Sequence, residues 1–185
     1  MATYASLKYN YDASGLSSLP AGDRSPMFCG WNTSTDGNFG NATWHVPTMG
    51  DETYDSDSCF NDTGSTVTLN SLSVPAYSFC PNVSGWYYIA HNIGGNGQYQ
   101  SYMDALEVAV YKNGAIHMSS FQNQGNNSDQ NTIGEVGGLI ELNGTGDYLT
   151  PYIYVDTAFS GGTNASMQGS SGTSIRNAFS GFKVS

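Results

Sequence analysis

The sequence predicts an all-β sandwich or jelly roll of eight to ten short antiparallel strands, and three observations predict it. The chain has 185 residues, the size of one such domain, and combines 23 glycines and 13 tyrosines with a charged fraction of only 11%. That is a composition of polar turns between apolar strands. Runs alternating apolar and polar side chains recur at short spacing, with Gly, Asn, Asp and Ser between them. No segment has the apolar period of a long amphipathic helix, and none carries heptads.

Residues 1–25 stand apart from the domain expected over 26–185. They hold few large aliphatics and include the segment Ser14-Gly15-Leu16-Ser17-Ser18-Leu19-Pro20-Ala21-Gly22. By composition this is an arm. The expectation is that it docks on the body, on a sister subunit or on a larger assembly, through Tyr4, Leu7, Tyr9, Tyr11, Leu16 and Leu19. A plain first strand around Leu7–Tyr11 is the equal alternative.

Met27–Phe39 and Ala42–Pro47 predict two short strands, with a turn at Thr35-Asp36-Gly37-Asn38. Met49–Asp62 is the most acidic stretch, and Asp51, Asp55 and Asp57 are its candidate ligands for a hard cation, which takes several oxygens from one loop. Cys59 falls where a calcium loop needs a ligand and then a glycine, so a solvated acidic loop is the preferred reading. Val67-Thr68-Leu69 alternates like a strand, and Ser71–Ala76 continues as an irregular connection or an edge strand.

The run Gly85-Trp86-Tyr87-Tyr88-Ile89-Ala90-His91 is the keystone. Aromatic and β-branched side chains fit a pleated surface, and both parities are filled, Trp86 and Tyr88 on one face, Tyr87 and Ile89 on the other. A strand with one wet face would alternate with polar residues. One face is therefore expected to meet the domain's own core and the other a neighbouring subunit. A glycine-rich loop is expected over Ile93–Gln100. Leu106, Val108 and Val110 then alternate up to Asn113-Gly114, and Ile116 and Met118 return beyond it. Asn-Gly between alternating runs predicts a two-residue hairpin, because both residues accept positive φ.

Asn123–Asn131 is a polar loop. Gly138–Leu142 turns through residues 143–147 into Tyr148–Val155, where Leu149, Pro151, Ile153 and Val155 share one face and Tyr148, Thr150, Tyr152 and Tyr154 the other. Pro151 cannot donate to a ladder, which predicts an edge or a bulge. The tyrosine ladder suits a subunit interface better than a ligand platform, since interfaces favour Tyr for its area and polar tip. A loop over Ser160–Thr173 precedes a last strand within Ile175–Val184.

Charge narrows the function. The formal net charge is −10, and the only basic residues are Lys8, Arg24, Lys112, Arg176 and Lys183. No cationic face for phosphates or anionic lipid can be assembled from five such residues, so neither nucleic acid nor membrane is an expected partner. Met1-Ala2-Thr3-Tyr4-Ala5-Ser6 lacks the pattern of a signal peptide, and no apolar run is long enough to span a membrane as a helix. The odd count of Cys29, Cys59 and Cys80 rules out a complete set of disulfides and points to thiols made in a reducing cytosol. His45, His91 and His117 are too scattered for a metal-ligand spacing, and no nucleophile elbow or phosphate loop appears. A spatial carboxylate pair such as Glu107 with Glu141 is the remaining catalytic option; the expectation is a non-enzyme without cofactors.

Three motifs in order resemble the tumour-necrosis-factor-like jelly roll shared with complement globular heads. They are Phe79-Cys80-Pro81-Asn82-Val83-Ser84-Gly85-Trp86-Tyr87-Tyr88-Ile89; Gly137-Gly138-Leu139-Ile140-Glu141-Leu142 with Gly146-Asp147-Tyr148; and Ala178-Phe179-Ser180-Gly181-Phe182. The Lys112-Asn113-Gly114 hairpin lies between the first two. The resemblance implies a two-sheet jelly roll of about ten strands that assembles as a homotrimer. It implies core or trimer contacts for Trp86, Tyr87 and Phe179 and places the tyrosine-bearing strand second from the end. Residues 65–76 stand as an insertion, and residues 1–25 match no stalk. With Tyr148, Tyr152 and Tyr154 from the tyrosine ladder, the expected trimer interface is Trp86, Tyr87, Tyr148, Tyr152, Tyr154 and Phe179.

Bacterial viruses use this jelly roll for virion proteins made in the host cytoplasm. The resulting expectation is a trimeric decoration or cement protein on the virion surface, gripping the major capsid protein or another virion protein through residues 1–25. The alternative is the receptor-binding tip of a tail fibre, recognising carbohydrate or a surface protein through loops 93–100, 123–131 and 160–173.

Overall fold

The computed structural model describes residues 26–32, 36–97, 103–125, 131–158, 165–169 and 177–184. The six residues expected to anchor the arm, Tyr4, Leu7, Tyr9, Tyr11, Leu16 and Leu19, lie outside the described residues. The described chain is all β, with thirteen strands. In chain order these are β1 (Met27–Trp31), β2 (Asp36–Phe39), β3 (Thr43–His45), β4 (Asp51–Asp55), β5 (Val67–Leu69), β6 (Leu72–Val74), β7 (Gly85–Gly97), β8 (Met103–Lys112), β9 (Ala115–Asn123), β10 (Asn131–Leu142), β11 (Leu149–Thr157), β12 (Ala165–Met167) and β13 (Ala178–Lys183).

Two antiparallel sheets face each other. The keystone lies in β7, the axis of the seven-stranded sheet. One side of β7 pairs with β10 along its whole length, from Gly85↔Leu142 to Asn96↔Asn131. Its other side is shared: β13 takes Tyr87–Asn92 and β12 takes Gly95–Gly97. Beyond β13 come β1 and β4, and beyond β12 comes β2. The four-stranded sheet runs β3-β11-β8-β9, and β5 and β6 form a separate small hairpin. The inner faces interdigitate as in an aligned sandwich. Ile89, Ile93, Phe179 and Ile140 from one sheet pack with Leu106, Val108, Val110, Ile153 and Val155 from the other.

The Asn113-Gly114 hairpin forms as expected, with φ of 54° and 83°, and joins β8 to β9. A second turn of the same kind, Asn70-Ser71 with φ of 51° and 65°, closes β5 on β6 inside the expected insertion. Pro151 lies in the part of β11 that β3 does not reach, since β3 pairs only with Ile153–Val155.

Several expectations are corrected. The glycine-rich segment after Ile93 continues β7 to Gly97 instead of looping. Its glycines serve close packing: a Cβ on Gly95 would lie 2.9 Å from Leu106 Cδ1 and 3.2 Å from Val155 Cγ2. Asp51–Asp55, expected as loop, is the edge strand β4, where exposed charge deters further pairing. Asp36–Asn38, expected as turn, lies in β2, and Ala165–Met167, expected as loop, is β12. Phe79 does not open the keystone strand. It makes isolated bridges to Phe60 and Leu149 instead. The tyrosine strand β11 is followed by β12 as well as β13, so it is second from the end only among the long strands.

Candidate functional site: the outer faces of the two sheets

Strand parity sends alternate residues of β7 to opposite sides. Tyr87, Ile89 and His91 enter the core with no exposed surface. Tyr87 donates its hydroxyl to the Val83 carbonyl at 2.6 Å, and burial pushes its pKa upward. Trp86 and Tyr88 emerge on the outer face, 45% and 42% exposed. The cross-strand register extends that face: Leu139 opposes Tyr88 from β10, and Phe182 opposes it from β13. Leu139 is 57% exposed, Ile133 63% and Phe182 39%. The Tyr88 and Phe182 rings are 5.8 Å apart. Between Tyr88 and Ile133, where only Ala90 and Gly137 stand, the surface sinks into a depression of about 490 Å³ edged by Asn92 and Glu135. Trp86, Tyr88, Leu139 and Phe182 cluster on this face, with Ile133 beyond the depression, and a cluster of large exposed apolar side chains is a candidate interaction surface.

The outer face of the four-stranded sheet is aromatic instead. Tyr152 and Tyr154 alternate with core residues on β11, and Trp44 of β3 opposes Tyr154. Tyr111 of β8 stacks on Tyr152 with centroids 3.9 Å apart, and the Trp44 ring stands edge-on to Tyr111 at 5.7 Å. Burial, then neighbouring Tyr152 and Glu107, raises the Tyr111 pKa; burial, then Tyr148, raises that of Tyr152. Both phenols therefore stay neutral donors at physiological pH. Thr150, on the same parity, is buried and shares a 2.7 Å hydrogen bond with Ser78.

The six residues expected at a trimer interface thus separate. Trp86 lies on the apolar outer face of the seven-stranded sheet. Tyr148, Tyr152 and Tyr154 are half-buried at the other sheet. Tyr87 and Phe179 are corrected: neither has exposed surface, so they belong to the subunit's own core and cannot touch another subunit. Phe179 meets Phe28 at 4.9 Å and the His91 ring at 5.9 Å. Sequence reasoning missed Tyr88, Ile133, Leu139 and Phe182 as one patch. β10 alternates Ile133 and Leu139 with Gly, Val and Ile, so its apolar parity is ambiguous until the register with β7 is known.

The candidate metal ligands are corrected as well. Both carboxylate oxygens of Asp55 are taken by backbone, accepting from the Cys59 and Phe60 N–H groups at 3.0 Å each. Asp57 accepts from the Ser56 hydroxyl, and Asp51 lies opposite Trp31 in the β1–β4 ladder. Among the described residues no three His, Cys, Asp or Glu side chains gather into a metal-holding group. Glu107 and Glu141 point from opposite sheets, Glu107 beside Tyr154 and Glu141 beside Trp86, so they cannot act as a pair. His45 stacks on Phe39 at 4.4 Å, His91 is in the core and His117 is exposed on β9.

One polar unit was not foreseen. Asp147 accepts from Asn113 Nδ2 at 2.7 Å and from Asn143 N–H at 2.9 Å, and pairs with the Lys112 ammonium at 3.0 Å. Tyr148 N–H in turn donates to Asn113 Oδ1 at 2.9 Å. Burial alone would raise the Asp147 pKa, but the hydrogen bonds from Asn113 and Lys112 outweigh it and hold the carboxyl below its ordinary value. The Asn-Gly hairpin and the Gly-Asp-Tyr motif are therefore one structure, fastening the two sheets at that end.

Comparison with solved structures agrees with this fold. Murine APRIL at pH 5.0 superposes with a TM-score of 0.52 at 8% identity, covering 85% of this chain and 97% of APRIL. The pH 8.0 form gives 0.53 at 9% identity over the same shares. A zebrafish complement 1qA globular domain reaches a TM-score of 0.49 at 16% identity, over 86% of this chain and 98% of that domain. No protein-family model and no curated protein matches the chain. The fold is the tumour-necrosis-factor-like jelly roll.

Proposed function

We propose that the chain is a non-enzymatic structural protein that works as a homotrimer, and that it decorates the head of a bacterial virus as a cement or knob protein, with residues 1–25 as its grip on the capsid. The observation carrying this reading is the exposed apolar face of the seven-stranded sheet. Trp86, Tyr88, Ile133, Leu139 and Phe182 form a surface that a second copy of the chain would cover. Copies carrying −10 each repel one another at long range, and Glu135 and Glu141 share this face of β10, so association there must rest on the apolar side chains and strengthen with salt. A closed threefold assembly also matches the local symmetry of a shell. The acidic, polar surface and the similarity to a jelly roll that bacterial viruses use support the place on a virion.

The tail-fibre reading is favoured by one observation, the Trp44, Tyr111, Tyr152 and Tyr154 cluster, whose rings and neutral hydroxyls suit the apolar faces and hydroxyls of a sugar. The loops first expected to bind sugar lie largely outside the described residues.

The test begins with light scattering on the purified protein, where a trimer mass is expected and a stable monomer would sink the proposal. Leu139→Glu, at a side chain exposed in the isolated subunit, should convert the trimer to monomer with an unchanged far-ultraviolet circular dichroism spectrum. Immunogold labelling of virus particles carrying the chain then separates the readings. Label over the head supports a cement protein, label at the tail supports the fibre tip, and absence of label ends the virion reading.

A further inference from the structure

Two of the three cysteines lie across from each other on a short ribbon outside the thirteen strands. Residues 59–61 run antiparallel to residues 78–80. Asn61 N–H donates to the Ser78 carbonyl at 2.9 Å, Phe60 bridges Phe79, and Cys80 N–H donates to the Cys59 carbonyl at 2.7 Å. This register sets Cys59 opposite Cys80, joined by that one bond, since the Cys59 N–H turns to Asp55 Oδ1 at 3.0 Å. Opposite residues in such a pair share a face, with Cα atoms about 5.5 Å apart. That separation lies within the span a disulfide bridges, with a preferred Cα distance of about 5.5–6 Å.

The surroundings place both sulfurs in one covered site. Phe60 and Phe79 take the other face of the ribbon and stack on Phe28. Cys59 and Cys80 are both buried, and the β5–β6 hairpin meets Cys80 through the Leu69 carbonyl, 4.0 Å from its sulfur, and through Asn70. Asn70, at the tip of that hairpin, donates to the Cys80 carbonyl at 2.7 Å, and its amide nitrogen stands 3.9 Å from Cys80 Sγ. The Cys59 thiol faces the Asp57 carbonyl at 3.5 Å. Cys29 lies apart, on the outer side of β1 opposite Ser180 and Tyr54.

We propose that Cys59 and Cys80 form a reversible intrachain disulfide beneath the β5–β6 hairpin, made by exchange with a low-molecular-weight disulfide such as oxidised glutathione. In the first step one protein thiol, as its thiolate, attacks a sulfur of glutathione disulfide and releases one glutathione thiolate, leaving a mixed disulfide. The second protein thiolate attacks the protein sulfur of that mixed disulfide and releases the second glutathione. The two cysteines are oxidised by two electrons and lose two protons, and one glutathione disulfide becomes two glutathione thiols. Burial raises both thiol pKa values, so exchange waits on lifting of the hairpin. The bond then closes residues 59–80 into a covalent loop.

The test incubates the purified full chain with oxidised glutathione, alkylates remaining thiols under denaturing conditions, and maps chymotryptic peptides by mass spectrometry. The expected product is a peptide pair joined through Cys59 and Cys80, lighter by two hydrogens than the reduced pair, with Cys29 alkylated. It should form equally in Cys29→Ser, disappear with dithiothreitol, and raise Tm by roughly 5–10 °C. Glutathione caught singly on Cys59 or Cys80, a link from either to Cys29, or both thiols alkylated after prolonged oxidation would each overturn the proposal. The wild-type map decides the matter even if a cysteine variant fails to fold.

Discussion

Protonating His91 would put a cation between the edge of the Phe179 ring and the Ala109 carbonyl, 3.3 Å from Nδ1, with Nε2 facing no partner. Burial accordingly lowers its pKa from 6.5 to about 4, against a small opposing pull from the Ala109 carbonyl. The sign follows from which state binds the proton first. As pH falls below 6.5 the unfolded chain takes it up and the folded chain does not, so stability declines until about pH 4 and then levels. The full loss is about 3 kcal/mol. Urea midpoints measured across pH 7 to 4 should therefore fall more steeply for the native chain than for His91→Gln. Gly144 shows a different constraint at the same scale. Its φ is 71°, and an added Cβ would run into the backbone of Val83 and Ser84. Backbone cannot rotate aside as a side chain can, so Gly144→Ala should cost more than about 2 kcal/mol, visible as a lower urea midpoint with unchanged slope.

Strands explain which parts of the fold were legible in the sequence. The parity of Trp86-Tyr87-Tyr88-Ile89 told core from surface, because neighbouring residues on a strand must part. Asn113-Gly114 announced its own turn, because few other residues accept two consecutive positive φ angles. The end of β7 was illegible for a physical reason. Glycine is the usual residue of a loop and also the residue that lets two sheets approach, and only the partner sheet distinguishes the two uses. Gly95 faces Leu106, Met103 and Val155, and Gly134 would set a Cβ 2.5 Å from Val108 Cγ2. Gly95→Ala should therefore destabilise by about 1–3 kcal/mol through overpacking, with neither strand lost from the circular dichroism spectrum; a loop glycine there would tolerate the change. β4 was hidden because Asp, Glu and Thr on an edge strand look like a solvated loop. The outer apolar patch was hidden because its members are contributed by three strands far apart in sequence, so no local pattern announces it.

At the scale of the whole molecule, the two outer faces differ in what they ask of a partner. The face of Trp86, Leu139 and Ile133 is apolar and suits a permanent contact, while that of Trp44 and Tyr152 carries hydroxyls among its rings and suits a wetter one. If three copies share the apolar face, stability depends on protein concentration. The apparent Tm should rise by several degrees for each hundredfold increase in concentration in the native chain and stay constant in Leu139→Glu. A concentration-independent Tm in both would contradict the trimer. The placing of β13 carries a consequence of another kind. This strand lies inside the seven-stranded sheet, between β7 and β1, and in the described ladders β1 and β4 reach the rest of the sheet only through it. On a ribosome, β1 and β4 can pair with each other early but must wait for β13 to join the sheet, a delay of roughly 6–25 s at ordinary elongation rates. Throughout that interval the edge of β1 that β13 will cover stays open, and the Phe28 ring has Phe60 and Phe79 beside it but not Phe179. The seven-stranded sheet is therefore completed only once β13 has been made, and until then the open edge of β1 is its most vulnerable element.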